Sequence, residues 1–256
     1  MSSSQTILRD ARVGSVPYLN ARPLVHGCRF RLAPPSQLAQ AFDADELDAA
    51  LLSSFFVFER ADEIAVVDQV AIAADGDVFS VILAYRGELD SLDRIYLDPA
   101  SLSSVNLMRV VLPELTASRP QFVEGVAPEG AARVLIGDPA IDFRSGLDAS
   151  WTVVDLAGAW KQVTGLPFVF AVWGIRRDYP RAEELATALR GVKGEGMAAL
   201  DEIRAAAEDP AFAKEYLGGF VKFDLTDEAK CGLEEFRRRL VLDGILANRE
   251  QAIVYI

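Results

Sequence analysis

Three short stretches put small, hydroxyl or amide side chains where an apolar run gives way to a helix. They are Pro17-Tyr18-Leu19-Asn20, Ser101-Leu102-Ser103-Ser104 and Gly137-Asp138-Pro139. Ligands of open α/β sheets bind beyond the carboxyl ends of the strands. Helix starts at those ends present unpaired N–H groups and a partial positive charge of about half an elementary charge. Hydroxyls, an amide and backbone N–H groups can therefore hold a small carboxylate without a basic patch. Ser53-Ser54, after the apolar run Ala49 to Leu52, and Ser80 offer more hydroxyls, and Tyr18 can line an aromatic-sized pocket. Each residue also has a plainer reading. Asn20 and Ser101 fit helix caps, Ser103 and Ser104 solvated first-turn hydroxyls, and Ser53, Ser54 and Ser80 ordinary strand-end serines. Tyr18 can simply cover the core, and Asp138 before Pro139 reads as structural.

Other chemistries lack their residues. The chain has no G-x-S-x-G, Walker A, G-x-G-x-x-G, H-E-x-x-H or C-x-x-C motif. Its single histidine, His26, sits beside Gly27 and Cys28 and reads as a surface or cap residue rather than a base. Neither a Ser-His-Asp triad nor a histidine-rich metal site can be built around it. Cys28 and Cys231 have no metal-ligand spacing and read as reduced thiols.

The 256 residues are 51% hydrophobic, enough for a sizeable core in one large domain or two lobes. A formal net charge of −12 repels phosphate backbones and anionic lipid, which disfavours nucleic-acid and membrane-surface roles, so neither partner is expected. An anion site must then be locally positive against that background. The opening MSSSQTILRDAR contains no apolar signal core, and no window approaches 18 uninterrupted apolar residues. A soluble cytoplasmic protein is expected.

The elements that must position these groups alternate. Strand Arg12 to Val16 leads through a turn to a short helix, then to a helix from Pro34-Pro35-Ser36 through Phe42. Ile64 to Ala74 and Val78 to Tyr85 are β-rich and joined by Asp75-Gly76-Asp77, a hairpin-like signal. Strand Arg94 to Leu97, a turn Asp98 to Ser101, and a helical stripe Leu102, Val105, Met108 and Leu112 repeat the early pattern. Strand Arg133 to Ile136 ends at Gly137. Trp151 to Val154 leads to Asp155, a fitting N-cap for a helix closed by Gly165. Beyond the apolar run Pro167 to Trp173 the chain turns to amphipathic helices. Strands alternating with helices define an α/β protein.

Four pieces carry a family resemblance: VGSVPYLNARPL, GDVFSVILAYRG, DPASLSSVNLMRVVL and DLAGAWKQVTGLPFVFAVW. In this order, from about residue 12 to 176, they resemble the menaquinone-biosynthesis family that includes chorismate dehydratase. The resemblance implies a two-lobed fold like type II periplasmic binding proteins, with a cleft between the lobes. We expect lobe one to combine residues 1–85 and 173–256, and lobe two to span 86–172. It also implies conversion of chorismate, a small dicarboxylate, to 3-[(1-carboxyvinyl)oxy]benzoate with loss of water. Tyr18 and Asn20 carry over in the first motif, Ser80 in the second, and Ser103 and Ser104 in the third. Ser53, Ser54 and Gly137 join as cleft positions by topology. Arg22 is not required.

For that dehydration Asn20 and Ser80 are expected to orient the substrate and stabilise developing charge. No protein base is evident, which leaves the substrate's own enolpyruvyl carboxylate to take the proton. Neither a metal nor a redox cofactor is needed. Two other readings remain: a solute-binding protein of a transporter, which shares the fold, and the family's naphthoate synthase. The latter resembles an enzyme with a histidine in the second lobe, and this chain has none after His26.

Overall fold

The computed structural model describes residues 3–98, 101–247 and 251–256. The first part of the chain forms α1 (Ser3–Asp10), β1 (Val13–Ser15), a 3₁₀ turn (Leu19–Leu24), β2 (Arg31–Leu32), α2 (Pro35–Asp43), β3 (Ala49–Ser53), α3 (Ser54–Glu59) and β4 (Ile64–Ala74). A second part follows with β5 (Val81–Arg86), β6 (Arg94–Leu97), α4 (Ser103–Leu115), β7 (Gln121–Glu124), β8 (Arg133–Ile136), α5 (Gly137–Ser145), β9 (Trp151–Asp155) and α6 (Leu156–Thr164). The chain closes with β10 (Phe168–Arg176), α7 (Ala182–Ala198), α8 (Leu200–Ala205), α9 (Pro210–Tyr216), α10 (Asp227–Leu242) and β11 (Val254–Tyr255). Pro99 and Ala100 of the expected turn lie outside the described residues.

The strands form two sheets, ordered β11-β4-β10-β3-β1-β2 and β7-β6-β8-β5-β9. In each, β1 to β3 or β6 to β8 run parallel, and one strand that arrives from the other sheet, β10 or β5, inserts antiparallel to both its neighbours. The parallel strands need helical crossovers, which cover both faces. Hence β3 is buried at every position.

The Asp75-Gly76-Asp77 signal does not make a hairpin. β4 pairs with β10 and β11, whereas β5 pairs with β8 and β9. The turn itself is real, with Gly76 at φ +110. Beyond it the Asp155 carboxylate accepts the N–H groups of Val78 (3.1 Å) and Phe79 (2.7 Å) and leads the chain to the other sheet. The strand therefore begins at Val81 rather than Val78. Asp155 also caps α6 through the N–H groups of Ala157 and Gly158, each at 3.1 Å, and Gly165 closes that helix at φ +74. One carboxylate thus holds both segments that pass between the sheets. Sheet membership changes between Ala74 and Val81 and between Asp155 and Phe168. As the division into lobes we propose these two segments, in place of cuts after Tyr85 and before Trp173.

The helical tail packs back on this frame. Phe236 of α10 meets Trp160 of α6 and Phe168 of β10, with ring centroids 5.9 and 4.8 Å apart. Buried apolar residues from both sheets form one continuous cluster with these rings. Aromatic pairs of this geometry add about 0.5–1.5 kcal/mol each beyond the area they bury. Among the described residues no helix is long and apolar enough to cross a membrane.

Candidate active site

A cavity lies where the parallel strands of the two sheets end. Tyr18 and Asn20 reach it from the turn after β1, Ser53 from the end of β3, and Ser80 from just before β5. Ser101, Ser103 and Ser104 reach it from the start of α4, and Gly137 from the start of α5. Val16, Leu51, Ile72 and Phe170 supply apolar wall. Of the eight candidate site residues Tyr18, Asn20, Ser53, Ser54, Ser80, Ser103, Ser104 and Gly137, all but Ser54 line it.

The hydroxyls divide by what already holds them. Ser53 Oγ accepts the N–H of Phe56 at 3.2 Å and caps α3. Ser101 Oγ accepts the N–H of Ser104 at 3.2 Å in the first turn of α4. Ser103 Oγ accepts the N–H of Phe55 at 3.1 Å and meets Ser54 Oγ at 2.9 Å, tying α4 to α3. Ser104 is buried and lines the cavity at the N-terminal end of α4. Ser80 is fully buried, and its Oγ accepts the hydroxyl hydrogen of Tyr216 at 2.6 Å.

Tyr18 and Gly137 form one wall. Gly137 is left-handed, at φ +62, and a Cβ there would come within 3.0 Å of Tyr18 Cγ and Cδ1. Only glycine lets the ring lie so close to this backbone without strain. The neighbouring Asp138 accepts the N–H of Leu19 at 3.1 Å, so the turn carrying Tyr18 and Asn20 is fastened to α5 across the cleft. Burial raises the Asp138 carboxyl, against the lowering effect of the Leu19 N–H and Arg22. Burial also raises the Tyr18 phenol, assisted by Asp98 and Asp138. Asn20 Oδ1 is buried without a protein partner, an acceptor left over at the cavity.

Among the described residues no lysine, arginine or histidine lines this cavity. The groups it can offer an anion are hydroxyl hydrogens, an amide and the start of α4. His26 lies elsewhere, in a surface groove with Cys28 and Glu195, and burial raises that thiol to about 11. Tyr216, missed in the sequence, comes from α9 in the helical tail. Its only local signal is the Asp209-Pro210 helix start, with Asp209 accepting the N–H of Phe212 at 3.0 Å.

Two α/β lobes with a cavity at their strand ends, and a helical tail, define a protein of the periplasmic-binding-protein fold. A protein of Archaeoglobus fulgidus superposes with TM-score 0.73 at 16% identity, over 92% of this chain and 98% of that one. The alkanesulfonate-binding protein of Xanthomonas axonopodis pv. citri gives 0.69 at 14% identity, over 96% and 98%. A Candida albicans protein described as having the generic periplasmic binding protein fold gives 0.60 at 16%, over 94% and 92%. Within that class the sequence is more specific. Residues 11–241 match the model of a menaquinone biosynthesis family, and the chain belongs to that family. It is 32% identical to the chorismate dehydratase of Thermus thermophilus, over 92% of this chain and 97% of the relative.

Proposed function

We propose that this protein is a chorismate dehydratase, a carbon–oxygen lyase. Its reaction is conversion of chorismate to 3-[(1-carboxyvinyl)oxy]benzoate and water, and its location is the cytoplasm. One observation carries the reading: Tyr18, Asn20, Ser80, Ser103 and Ser104 converge on one cavity whose lining offers neutral donors and no evident base. Dehydration of chorismate suits such a site. The ring carbon bearing the enolpyruvyl ether loses its proton, and the adjacent carbon loses hydroxide. That proton is allylic and vinylogous to the ring carboxylate, so the negative charge spreads onto the carboxylate as the C–H bond breaks. Forming the last ring double bond expels hydroxide, and aromatisation drives the step.

Ser104 and the first turn of α4 hold one carboxylate of the substrate. Asn20 and Ser80 orient the ring and stabilise the growing charge. The enolpyruvyl carboxylate, pressed against the ring by Tyr18 and the apolar wall, takes the proton within the same molecule, an orientation effect. Proton and hydroxide together leave as water.

The test is incubation of chorismate with chelator-treated protein, following the aromatic product by chromatography. Product without added metal supports this reading, and loss of activity on chelation defeats it. Chorismate bound and recovered unchanged would instead point to solute binding, as in the sulfonate-binding neighbour of the same fold.

A further inference from the structure

Ser80, one of the residues assigned to charge stabilisation, has a neighbour that no local sequence pattern places at the site. Tyr216 is the last residue of α9 and is 1% exposed. Its hydroxyl donates to Ser80 Oγ at 2.6 Å. Burial raises the phenol, against the lowering effect of Ser80 and Asn20, so it keeps its hydrogen. A serine hydroxyl has one hydrogen to give. With its oxygen occupied by the tyrosine's hydrogen, Ser80 directs its own hydrogen elsewhere, and its open side is the cavity. Donors in a chain polarise one another, so the Ser80 O–H becomes the stronger donor as well as the better aimed one.

The position of Tyr216 is built, not incidental. Phe79, next to Ser80, stands at φ +71, a conformation uncommon for a bulky residue. Asp155 holds its N–H at 2.7 Å, and the Arg144 guanidinium lies 4.0 Å from its ring centroid. On its other side the Phe79 ring packs on Phe212 of α9, centroids 4.9 Å apart, and Phe212 stacks on Tyr216 at 5.1 Å. A strained residue in the segment between the sheets thereby fixes both members of the Tyr216–Ser80 pair.

We propose that Tyr216 is a positioning residue of the active site, setting the Ser80 hydroxyl as a donor into the cavity. The inference rests on the dehydratase reading. In that reaction the aimed Ser80 hydrogen meets charge that develops only as the C–H and C–O bonds break. Its loss therefore lowers kcat and leaves KM nearly unchanged.

The experiment is steady-state dehydration of chorismate by the full chain, comparing wild type, Ser80→Ala, Tyr216→Phe, the double variant and Phe212→Leu. We expect Tyr216→Phe to lower kcat about ten- to a hundredfold, with KM within about threefold. The double variant should be about as slow as Ser80→Ala alone, because the tyrosine acts only through the serine. Phe212→Leu, which keeps the hydroxyl but loosens the stack that positions it, should fall between wild type and Tyr216→Phe in kcat. A double variant whose losses multiply, or a Phe212→Leu protein slower than Tyr216→Phe, would overturn the assignment. If Tyr216→Phe does not fold, 3-fluorotyrosine at position 216, a stronger donor of nearly the same shape, should alter kcat and not KM; an unaltered kcat overturns it. Wild-type protein that forms no product removes the dehydratase reading and this inference with it. A productive wild type with an unaffected Tyr216→Phe removes the inference alone.

Discussion

Ser54 Oγ and Ser103 Oγ meet at 2.9 Å across the boundary between the two sheets, one at the start of α3 and the other at the start of α4. Ser103 Oγ also accepts the Phe55 N–H at 3.1 Å, so it is committed to the protein before any ligand arrives. Replacing Ser54 by alanine removes one partner from a buried hydroxyl, a change that costs about 1–3 kcal/mol. Urea unfolding should show that loss in Ser54→Ala, with chorismate affinity changed less than threefold. An unchanged midpoint would mean that the contact does not join the lobes.

Ser104 has no such tie to α3, and it lines the cavity at the amino end of α4. A charge-assisted hydrogen bond from it to a substrate carboxylate is worth about 1.5–3 kcal/mol. Ser104→Ala should therefore weaken chorismate binding by roughly one to two powers of ten in a calorimetric titration. If both Ser103→Ala and Ser104→Ala bind like wild type, the carboxylate is held elsewhere.

The wall made by Tyr18 and Gly137 is sensitive to one methyl group. A Cβ at Gly137 would lie 3.0 Å from Tyr18 Cγ, on a backbone at φ +62. The left-handed conformation alone costs an alanine about 1–2 kcal/mol. The ring must also shift by a few tenths of an ångström into the cavity. Gly137→Ala should lower both the unfolding free energy and kcat/KM, the latter about tenfold or more. Wild-type kcat/KM would show that the Tyr18 ring does not shape the substrate pocket.

How much of this was readable beforehand follows from what is local. The turn after β1, the start of α4 and the start of α5 were visible because each pairs a buried strand with residues that favour helix entry. Asp155 and Gly165 were visible as the two ends of α6 for the same reason. What escaped depends on distant partners. The residues of β4 and β5 read as a hairpin because turn chemistry is local, while the choice of sheet was made by Asp155, far along the chain. Strand β7 has no alternation in its burial and gave no signal. Tyr216 reaches Ser80 across 136 positions of sequence, so nothing near either residue announced the pair.

The tail carries its own test, in acid. Glu235 on α10 accepts two hydrogen bonds from Arg238, both at 2.7 Å, and one from Arg239 at 2.8 Å. These arginines, Arg238 first, lower its carboxyl from 4.5 to about 2. A carboxylate with a depressed folded-state value contributes stability above its unfolded-state value. That contribution disappears as pH falls from about 4.5 through about 2. Discounted for the solvent-exposed Arg238, it amounts to roughly 1–2 kcal/mol. Glu235→Gln should unfold at lower denaturant than wild type at pH 6, and the gap should shrink towards pH 3. A gap that stays constant with pH would assign the effect to packing.

The mechanism makes its sharpest demand on the contrast between Asn20 and His26. Asn20 lines the cavity, and its amide N–H groups are the donors this reading turns towards the growing charge. Loss of one donor aimed at developing charge costs about 2.7–4 kcal/mol. Asn20→Ala should thus lower kcat on the order of a hundredfold. Asn20→Asp should be no better, because it places a negative charge where negative charge must grow. His26 lies in the separate groove beside Cys28 and Glu195, so His26→Ala should keep kcat within about twofold. A substrate carboxylate acting as base also titrates in acid, well below the usual range of a histidine. The pH–rate profile should therefore be flat from about pH 6 to 8, with no limb near a histidine's value. A folded His26→Ala protein without activity, or a kcat limb near pH 6.5 that vanishes in that variant, would replace the substrate's carboxylate with a protein base.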